Sequence, residues 1–188
     1  MPKIVDHAKQ RADLLEGAFE LFADRGYAAL SMRDLARGLG VTTGTLYHYF
    51  KSKDVIFEEM VLRAVARDLT AATAELSEEL SASERLRLIF EWIQANEQDL
   101  RRVLLLVFDF QRHKGDDPLA KGLVSEASAT YRREFELQVG AAPGIWPLIL
   151  GGLIQGILEP SHEDGAARLQ AMETLLLGTP TDKNTGVD

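Results

Sequence analysis

Residues 30–54 read LSMRDLARGLGVTTGTLYHYFKSKD, and this stretch decides how the chain folds. Ser31 is a residue type that caps helices, and the apolar spacing after it predicts a short helix over residues 32–39. Gly40 ends that helix, and a tight turn leads into a second short helix over residues 43–50. Two short helices around a turn that contains glycine form the layout of a helix-turn-helix.

The second of these helices is predicted to have two different faces. Leu46 and Phe50 are four residues apart, so both side chains point inward from one side of the helix. The other side carries groups that donate or accept hydrogen bonds, namely Thr43, Thr45, Tyr47 and His48. A DNA major groove about 12 Å wide admits such a helix, and these groups can then reach base edges and phosphates.

Helical patterning extends over most of the rest of the chain, with no long segment that alternates at period two. We expect an all-α protein with a helix-turn-helix domain at residues 1–53 and a larger helical domain at residues 54–180. Residues 181–188 are polar and are expected to form a disordered tail. The sequence predicts about nine helices, at residues 5–24, 32–39, 43–50, 53–76, 83–96, 98–114, 118–139, 146–158 and 163–177.

Charge is divided unevenly along the chain, whose net charge is −8. Residues 1–53 carry eight Lys or Arg against six Asp or Glu, whereas residues 54–188 carry 13 against 23. The acidic total argues against a polyanionic partner, but the basic balance at the amino-terminal end favours one. Arg33 and Lys53 stand near the starts of the second and fourth helices, where a phosphate would lie.

Composition and spacing argue against several other classes of protein. The chain has no cysteine, which excludes disulfides and thiolate metal sites. The four histidines have no partners at ligand spacing, so His48 is not expected to bind a metal and His7, His113 and His162 are expected to lie on the surface. Nucleophile–base pairs and phosphate-binding glycine loops are absent from the sequence, so we expect no enzyme, no metal and no cofactor. The amino-terminal residues do not resemble a secretory signal, and the chain is expected to be soluble and cytoplasmic.

The run from Gly40 to Asp54 resembles the signature of the tetracycline-repressor family of transcriptional regulators, and residues 18–27 are similar to that family's first helix. The resemblance extends over about residues 12–61. It implies a three-helix DNA-binding domain followed by a helical body that binds a small-molecule effector and forms a homodimer. By that resemblance the residues at DNA-contact positions are Met32, Arg33, Thr42, Thr43, Gly44, Thr45, Tyr47, His48, Tyr49 and Lys53.

The body is expected to dimerise through its last two helices. The helix at residues 146–158 is apolar on all sides and must be covered, and its length and glycines fit a subunit interface better than a membrane span. The expected interface residues are Gly152, Leu153, Gly156, Leu169, Met172 and Leu176. The aromatic residues Trp92, Phe108, Tyr131 and Phe135 are expected to lie in the hydrophobic core. Some of them could also line an apolar effector pocket, with Arg112 and Gln155 as polar contacts.

Two functional hypotheses follow from the sequence. The first is a repressor that binds a palindromic operator as a dimer and releases it when the effector binds. The second is a helical binding or enzymatic domain that does not bind DNA, which would account directly for the acidic body. A salt-dependent mobility shift on the DNA upstream of the protein's own gene separates them.

Overall fold

The computed structural model describes residues 6–140 and 144–158, together with residues 167, 170–172, 174 and 175. Within these residues the chain forms helices and turns and no strand, which confirms the predicted all-α fold. Residues 167, 170–172, 174 and 175 are helical and fall within the predicted ninth helix, whereas the predicted tail lies outside the described residues. The continuous helices are α1 His7–Arg25, α2 Met32–Gly38, α3 Thr43–Tyr49, α4 Lys53–Ala72, α5 Ala82–Ala95, α6 Glu97–Lys114, α7 Pro118–Val139 and α8 Ile145–Leu158.

Local side-chain chemistry sets the ends of the first two helices. Asp6 caps α1, and its carboxylate accepts hydrogen bonds from the backbone N–H groups of residues 8 and 9 at 3.1 Å. Gly26 follows α1 with a φ of +78°, a conformation that side chains with a Cβ rarely adopt. Ser31 and Asp34 form a reciprocal capping box at the start of α2, as their three-residue spacing indicated.

The fourth helix is shorter than the sequence predicted. It ends at Ala72 rather than near Leu76. The hydroxyl of Thr73 donates to the carbonyl oxygen of Leu69 at 2.8 Å, and the residues that follow form turns. A threonine side chain that bonds to the backbone in this way competes with continuation of the helix.

One compact unit consists of Met1–Asp68 and Arg102–Ala129. Its core is aromatic. The rings of Phe57 and Phe110 stack at 4.3 Å between centroids, and Tyr27 meets both of them edge-on. All three side chains are buried, so the connection between α1 and α2 is held by the same core as α4 and α6.

The second compact unit consists of Leu69–Arg101 and Thr130–Asp188. The rings of Tyr131 and Trp146 stack at 4.9 Å in this unit. Arg101 pairs with Glu97 at 2.9 Å and lies directly against Gly156, where a Cβ would be 1.9 Å from its Nη2 atom. The predicted division of the chain at residue 53 stays a prediction, because these units are made of interleaved segments.

The residues that α8 exposes are not the ones that the sequence predicted at a subunit interface. Leu153 and Gly156 are buried within the chain, and Gly152 lies against the sulfur of Met172, itself buried. The glycines expected at a subunit interface therefore have close neighbours in their own chain, and Leu169 and Leu176 lie outside the described residues. The outward face of α8 carries a different set at helical spacing, Leu148, Gly151, Gln155 and Leu158.

The contact between α1 and α2 depends on two glycines that face two leucines. A Cβ on Gly17 would lie 2.6 Å from a methyl group of Leu39, and a Cβ on Gly38 would lie 2.7 Å from a methyl group of Leu21. Each leucine occupies the space that the opposite glycine leaves open. This reciprocal arrangement sets how closely α2 approaches α1.

We predict that Gly17→Ala lowers the free energy of unfolding by about 1–2 kcal/mol, because overpacking against Leu39 exceeds the gain in helix propensity. The matched control is Gly122→Ala in α7, where a Cβ would meet nothing within 4 Å. That substitution should instead raise the free energy of unfolding by about 0.5–1 kcal/mol. Urea denaturation of both variants measures the difference, and equal effects of the two alanines would contradict the close contact.

Candidate nucleic-acid interface

The turn before α3 positions that helix through a threonine cap. The Thr42 side-chain oxygen accepts the backbone N–H of Thr45 at 3.0 Å and lies 2.8 Å from the Thr45 hydroxyl. Leu46 and Phe50 are buried, as their spacing predicted, with 0% and 1% of their surface exposed. α3 is therefore held by its inner face and its cap, which leaves its outer face available.

The outer face of α3 contains most of the residues at predicted DNA-contact positions. Tyr47 is 52% exposed, which is unusual for a large aromatic residue and leaves its ring and hydroxyl open to a partner. The other exposed members of the set are Arg33, Thr42, Gly44 and His48, and the half-buried members are Met32, Thr43, Thr45, Tyr49 and Lys53. Their role as DNA contacts stays a prediction.

Arg11 of α1 holds the carboxyl-terminal end of α3 in place. Its Nε and Nη2 atoms both bond to the Glu59 carboxylate on α4, with the Nε bond at 2.9 Å. Its Nη1 atom donates to the carbonyl oxygen of Tyr49, and its guanidinium lies 4.4 Å above the ring of Phe50. One side chain thus joins α1, the end of α3 and α4, and sequence spacing gave no sign of it because the partners are 38 to 48 residues away.

Tyr49 faces α1 rather than open solvent. Its hydroxyl donates to the side-chain oxygen of Gln10 at 2.7 Å and lies 3.0 Å from Nδ1 of His7. The rings of His7 and His48 are 6.1 Å apart between centroids. The structure therefore brings His7, which the sequence left as an isolated surface residue, to the edge of the candidate interface.

Lys53 is placed at the start of α4, but its ammonium group points into the protein. Nζ donates to the carbonyl oxygens of Tyr27 and Leu30, each at 2.8 Å, and lies 3.9 Å from the centre of the Tyr27 ring. Burial lowers its pKa from the usual value. The predicted phosphate contact at this position stays a prediction, and the side chain has a second role in fixing the connection between α1 and α2.

Asp54 and Tyr27 form a polar cluster beside the candidate interface. The Asp54 carboxylate accepts hydrogen bonds from the Tyr27 hydroxyl and from Nζ of Lys114, the latter at 2.6 Å. Burial opposes ionisation of Asp54, but these two donors outweigh it and its pKa lies below the usual value. Burial and the neighbouring carboxylate raise the pKa of Tyr27. The backbone N–H of Tyr27 also donates to Asp109 of α6 at 2.8 Å.

The residues proposed for an effector pocket are dispersed among several helices. Trp92 on α5 is half-buried, and Phe135 on α7 is buried with its ring 6.0 Å from that of Trp146. Tyr131 stacks on Trp146, an aromatic residue that the sequence did not single out. The other three are exposed or bonded at the surface: Phe108 is 42% exposed, Arg112 pairs with Asp109 at 3.3 Å, and Gln155 lies on the outward face of α8. A shared pocket stays a prediction.

Known proteins share both the amino-terminal sequence and the fold. The family model for tetR-family bacterial regulatory proteins matches residues 14–60. The regulator PksA of Bacillus subtilis is 28% identical over 120 residues, which cover 62% of this chain and 58% of PksA. The repressor KstR2 of Mycobacterium tuberculosis is 40% identical over 77 residues, 38% of each chain. The aligned parts thus span less than two thirds of these relatives.

Solved structures resemble the chain over most of its length. A transcriptional regulator from Saccharomonospora viridis, crystallised with choline, superposes with a TM-score of 0.70 at 23% identity and covers 92% of this chain and 98% of its own. A TetR-family regulator from a Rhodococcus species gives a TM-score of 0.73 at 17% identity, with 90% and 99% coverage. At such identities the likeness establishes the fold.

The capped turn, the buried inner face of α3 and its polar outer face define the domain as a helix-turn-helix of the DNA-binding class. Over residues 14–60 this domain is similar to the amino-terminal domain of the tetR family of bacterial regulatory proteins. None of the helices in the described part of the chain is both long enough and apolar enough to cross a membrane.

We predict that Tyr27→Phe lowers the free energy of unfolding by about 1–2 kcal/mol, because the hydroxyl bond to an ionised carboxylate is removed. Tyr47→Phe is the matched control, since the exposed Tyr47 makes no such bond, and its stability should change by less than about 0.5 kcal/mol.

Because the pKa of Asp54 is lowered, its stabilising effect is present above the unfolded-state pKa of about 3.9 and disappears as the pH falls through the folded value. Denaturation of the wild type and both variants between pH 3 and pH 7 measures these differences in stability. An equal loss of stability in Tyr27→Phe and Tyr47→Phe would contradict the role of the Tyr27 hydroxyl.

Proposed function

We propose that this chain is a transcriptional repressor that binds a palindromic operator as a homodimer and is released by a small-molecule effector. The observation that carries the proposal is the outer face of α3, where polar groups and the exposed ring of Tyr47 surround a helix otherwise fixed by Leu46, Phe50 and Arg11. Regulators related to this chain in sequence support it. A protein with this role acts on bacterial DNA in the cytoplasm and is not an enzyme.

Gly44 supports a close approach of DNA to the first turn of α3. It is exposed, and the nearest atom to a Cβ at this position would be the Thr42 side-chain oxygen at 3.8 Å. The protein itself therefore has room for a larger residue. A glycine in a helix costs stability relative to alanine, so its presence here is consistent with a requirement outside the folded chain.

A homodimer is supported by the outward face of α8. Leu148 and Leu158 are 38% and 75% exposed, and Leu175 in the following helical residues is 78% exposed. Large apolar side chains in such a row are normally covered by a partner, and a two-fold axis is the commonest way to provide one. Two DNA-binding domains in a symmetric dimer would read half-sites about 10 bp apart or somewhat more.

Release by an effector requires that the ligand bind one conformation better than the other. The contacts of α6 with the amino-terminal helices offer a mechanical link. Asp109 holds the backbone of Tyr27, and Lys114 holds Asp54 at the start of α4. A displacement of α6 would break these bonds and move the helix that follows α3. The effector's chemistry is not specified by these contacts.

We predict that Gly44→Ala weakens operator binding by about 10-fold or more while leaving the fold as stable as the wild type or slightly more so. Tyr47→Ala should also weaken binding by about 10-fold. The measurement is a mobility shift on the intergenic DNA upstream of the protein's own gene, with thermal unfolding in parallel. Gly122→Ala serves as the control for a helix glycine away from α3, and wild-type affinity in Gly44→Ala would argue against DNA contact there.

For the dimer, we predict that Leu148→Glu raises the dissociation constant of the dimer by about 100-fold or more, because it places two like charges in an apolar interface. Size-exclusion chromatography with light scattering measures the mass. The control is Leu137→Glu on α7, where the leucine is 68% exposed and no interface is proposed, and this variant should stay dimeric. A fully dimeric Leu148→Glu variant would place the interface elsewhere.

A further inference from the structure

The start of α1 and the end of α3 carry a pair of histidines that lie far apart in the chain and were not connected by their spacing. His7 is the first residue of α1 and His48 lies in the last turn of α3, yet their ring centroids are 6.1 Å apart and both side chains are exposed. We propose that His7 and His48 together form a contact to the DNA phosphate backbone that strengthens when the imidazoles are protonated. This inference rests on the proposed operator binding.

The hydrogen bonds of Tyr49 fix which nitrogen of His7 is available. The side-chain oxygen of Gln10 can only accept, so the Tyr49 hydroxyl donates its proton to Gln10. The same hydroxyl oxygen then accepts from Nδ1 of His7 at 3.0 Å. Neutral His7 therefore carries its proton on Nδ1 and has a bare Nε2. Protonation adds an N–H to Nε2, which can donate to an anion without disturbing the bond to Tyr49.

The location suits a phosphate rather than a base edge. An α-helix with its side chains is about 10–12 Å in diameter and fills a major groove about 12 Å wide. With α3 in the groove, side chains on a neighbouring helix meet the sugar–phosphate strand that borders it. His7 is on such a helix, directly beside the last turn of α3. Contacts of this kind hold register and add affinity without reading sequence.

The charged groups around His7 on α1 each have a partner within the protein. Asp6 caps the helix through the N–H groups of residues 8 and 9, and Lys9 pairs with Asp13 at 3.0 Å. Arg11 pairs with Glu59 of α4. No carboxylate in the described residues forms an ion pair with the His7 or His48 ring, so an incoming phosphate would provide the balancing charge.

The other groups near the two histidines have opposite effects on a positive charge at their rings. On α3, the carboxyl-terminal end of the helix favours a cation at His48, and the exposed Lys51 just beyond disfavours one. The positive end of α1 disfavours a cation at His7. DNA therefore has the deciding effect. Its phosphates favour the charged imidazoles, so affinity should be highest at acidic pH and fall as the pH rises.

The experiment measures the operator dissociation constant of the full-length protein from pH 5.5 to pH 8.0 on a duplex from the intergenic DNA upstream of its gene. The variants are His7→Gln, His7→Arg and, as a matched control, His113→Gln, an exposed histidine whose ring lies against Tyr27 instead of α3. The wild type should bind about 10-fold more tightly at pH 5.5 than at pH 8.0, and His113→Gln should reproduce that profile.

The two substitutions at His7 should separate charge from packing. Glutamine keeps a donor for Tyr49 but cannot become charged, so His7→Gln should reduce the pH effect to about 3-fold. It should also lower the salt slope at pH 5.5 by about 0.9 for each phosphate that is no longer neutralised. Arginine is charged throughout, so at pH 8.0 His7→Arg should bind about 3-fold more tightly than the wild type, while the remaining effect of His48 should still make its binding about 3-fold tighter at pH 5.5. Thermal unfolding at each pH checks that all variants are folded.

Three outcomes would overturn the proposal. A wild-type affinity that does not change with pH refutes the histidine contact and leaves the proposed operator binding intact. Equal weakening by His7→Gln and His7→Arg, with the wild-type pH profile retained, shows that His7 only supports Tyr49. Absence of binding at every pH refutes both this contact and the proposed function.

Discussion

The guanidinium group of Arg11 is the contact on which the geometry of the candidate interface depends. α3 has only seven residues, and a helix so short is not stable by itself. Its start is fixed by Thr42, and Leu46 and Phe50 pack its inner face, but the backbone carbonyl groups of its last turn have no partners within the helix. Arg11 closes that end by binding the Tyr49 carbonyl while Glu59 holds the guanidinium from the other side. A planar guanidinium binds the carboxylate through two N–H groups while a third reaches the carbonyl oxygen, a forked geometry that a lysine ammonium does not offer.

The same end of α3 is also where the polar chain from Gln10 through Tyr49 to His7 begins. α1 therefore does more than cover the inner face of the helix-turn-helix. It supplies the cation that terminates α3 and the side chains that orient Tyr49. The outer face of α3 can consist of small polar residues and an exposed tyrosine because its rigidity comes from α1 and α4 and not from its own packing.

Sequence reasoning was most successful where the information is local. The inward pair Leu46 and Phe50, the Ser31–Asp34 capping box and the glycine after α1 all depend on residues within four positions of each other. The position of the Lys53 ammonium group could not be inferred, because it depends on where the carbonyl groups of residues 27 and 30 lie after folding. The inward face of α8 could not be predicted for another reason: a helix that is apolar on every side has no periodicity from which its inward direction can be read.

The charges of the amino-terminal region bear on how such a protein would select its site. Arg11 and Lys53 bind groups inside the fold, and Lys9 and Arg37 pair with carboxylates of their own helices. Fewer cations are thus without a protein partner than the sequence count suggests, and residues 54–188 are acidic. Non-specific DNA binding depends on the number of phosphates that a protein neutralises, so we expect a repressor of this kind to bind random DNA weakly. Its affinity for an operator would then come from hydrogen bonds made by α3 and from contacts that acquire charge only in the complex.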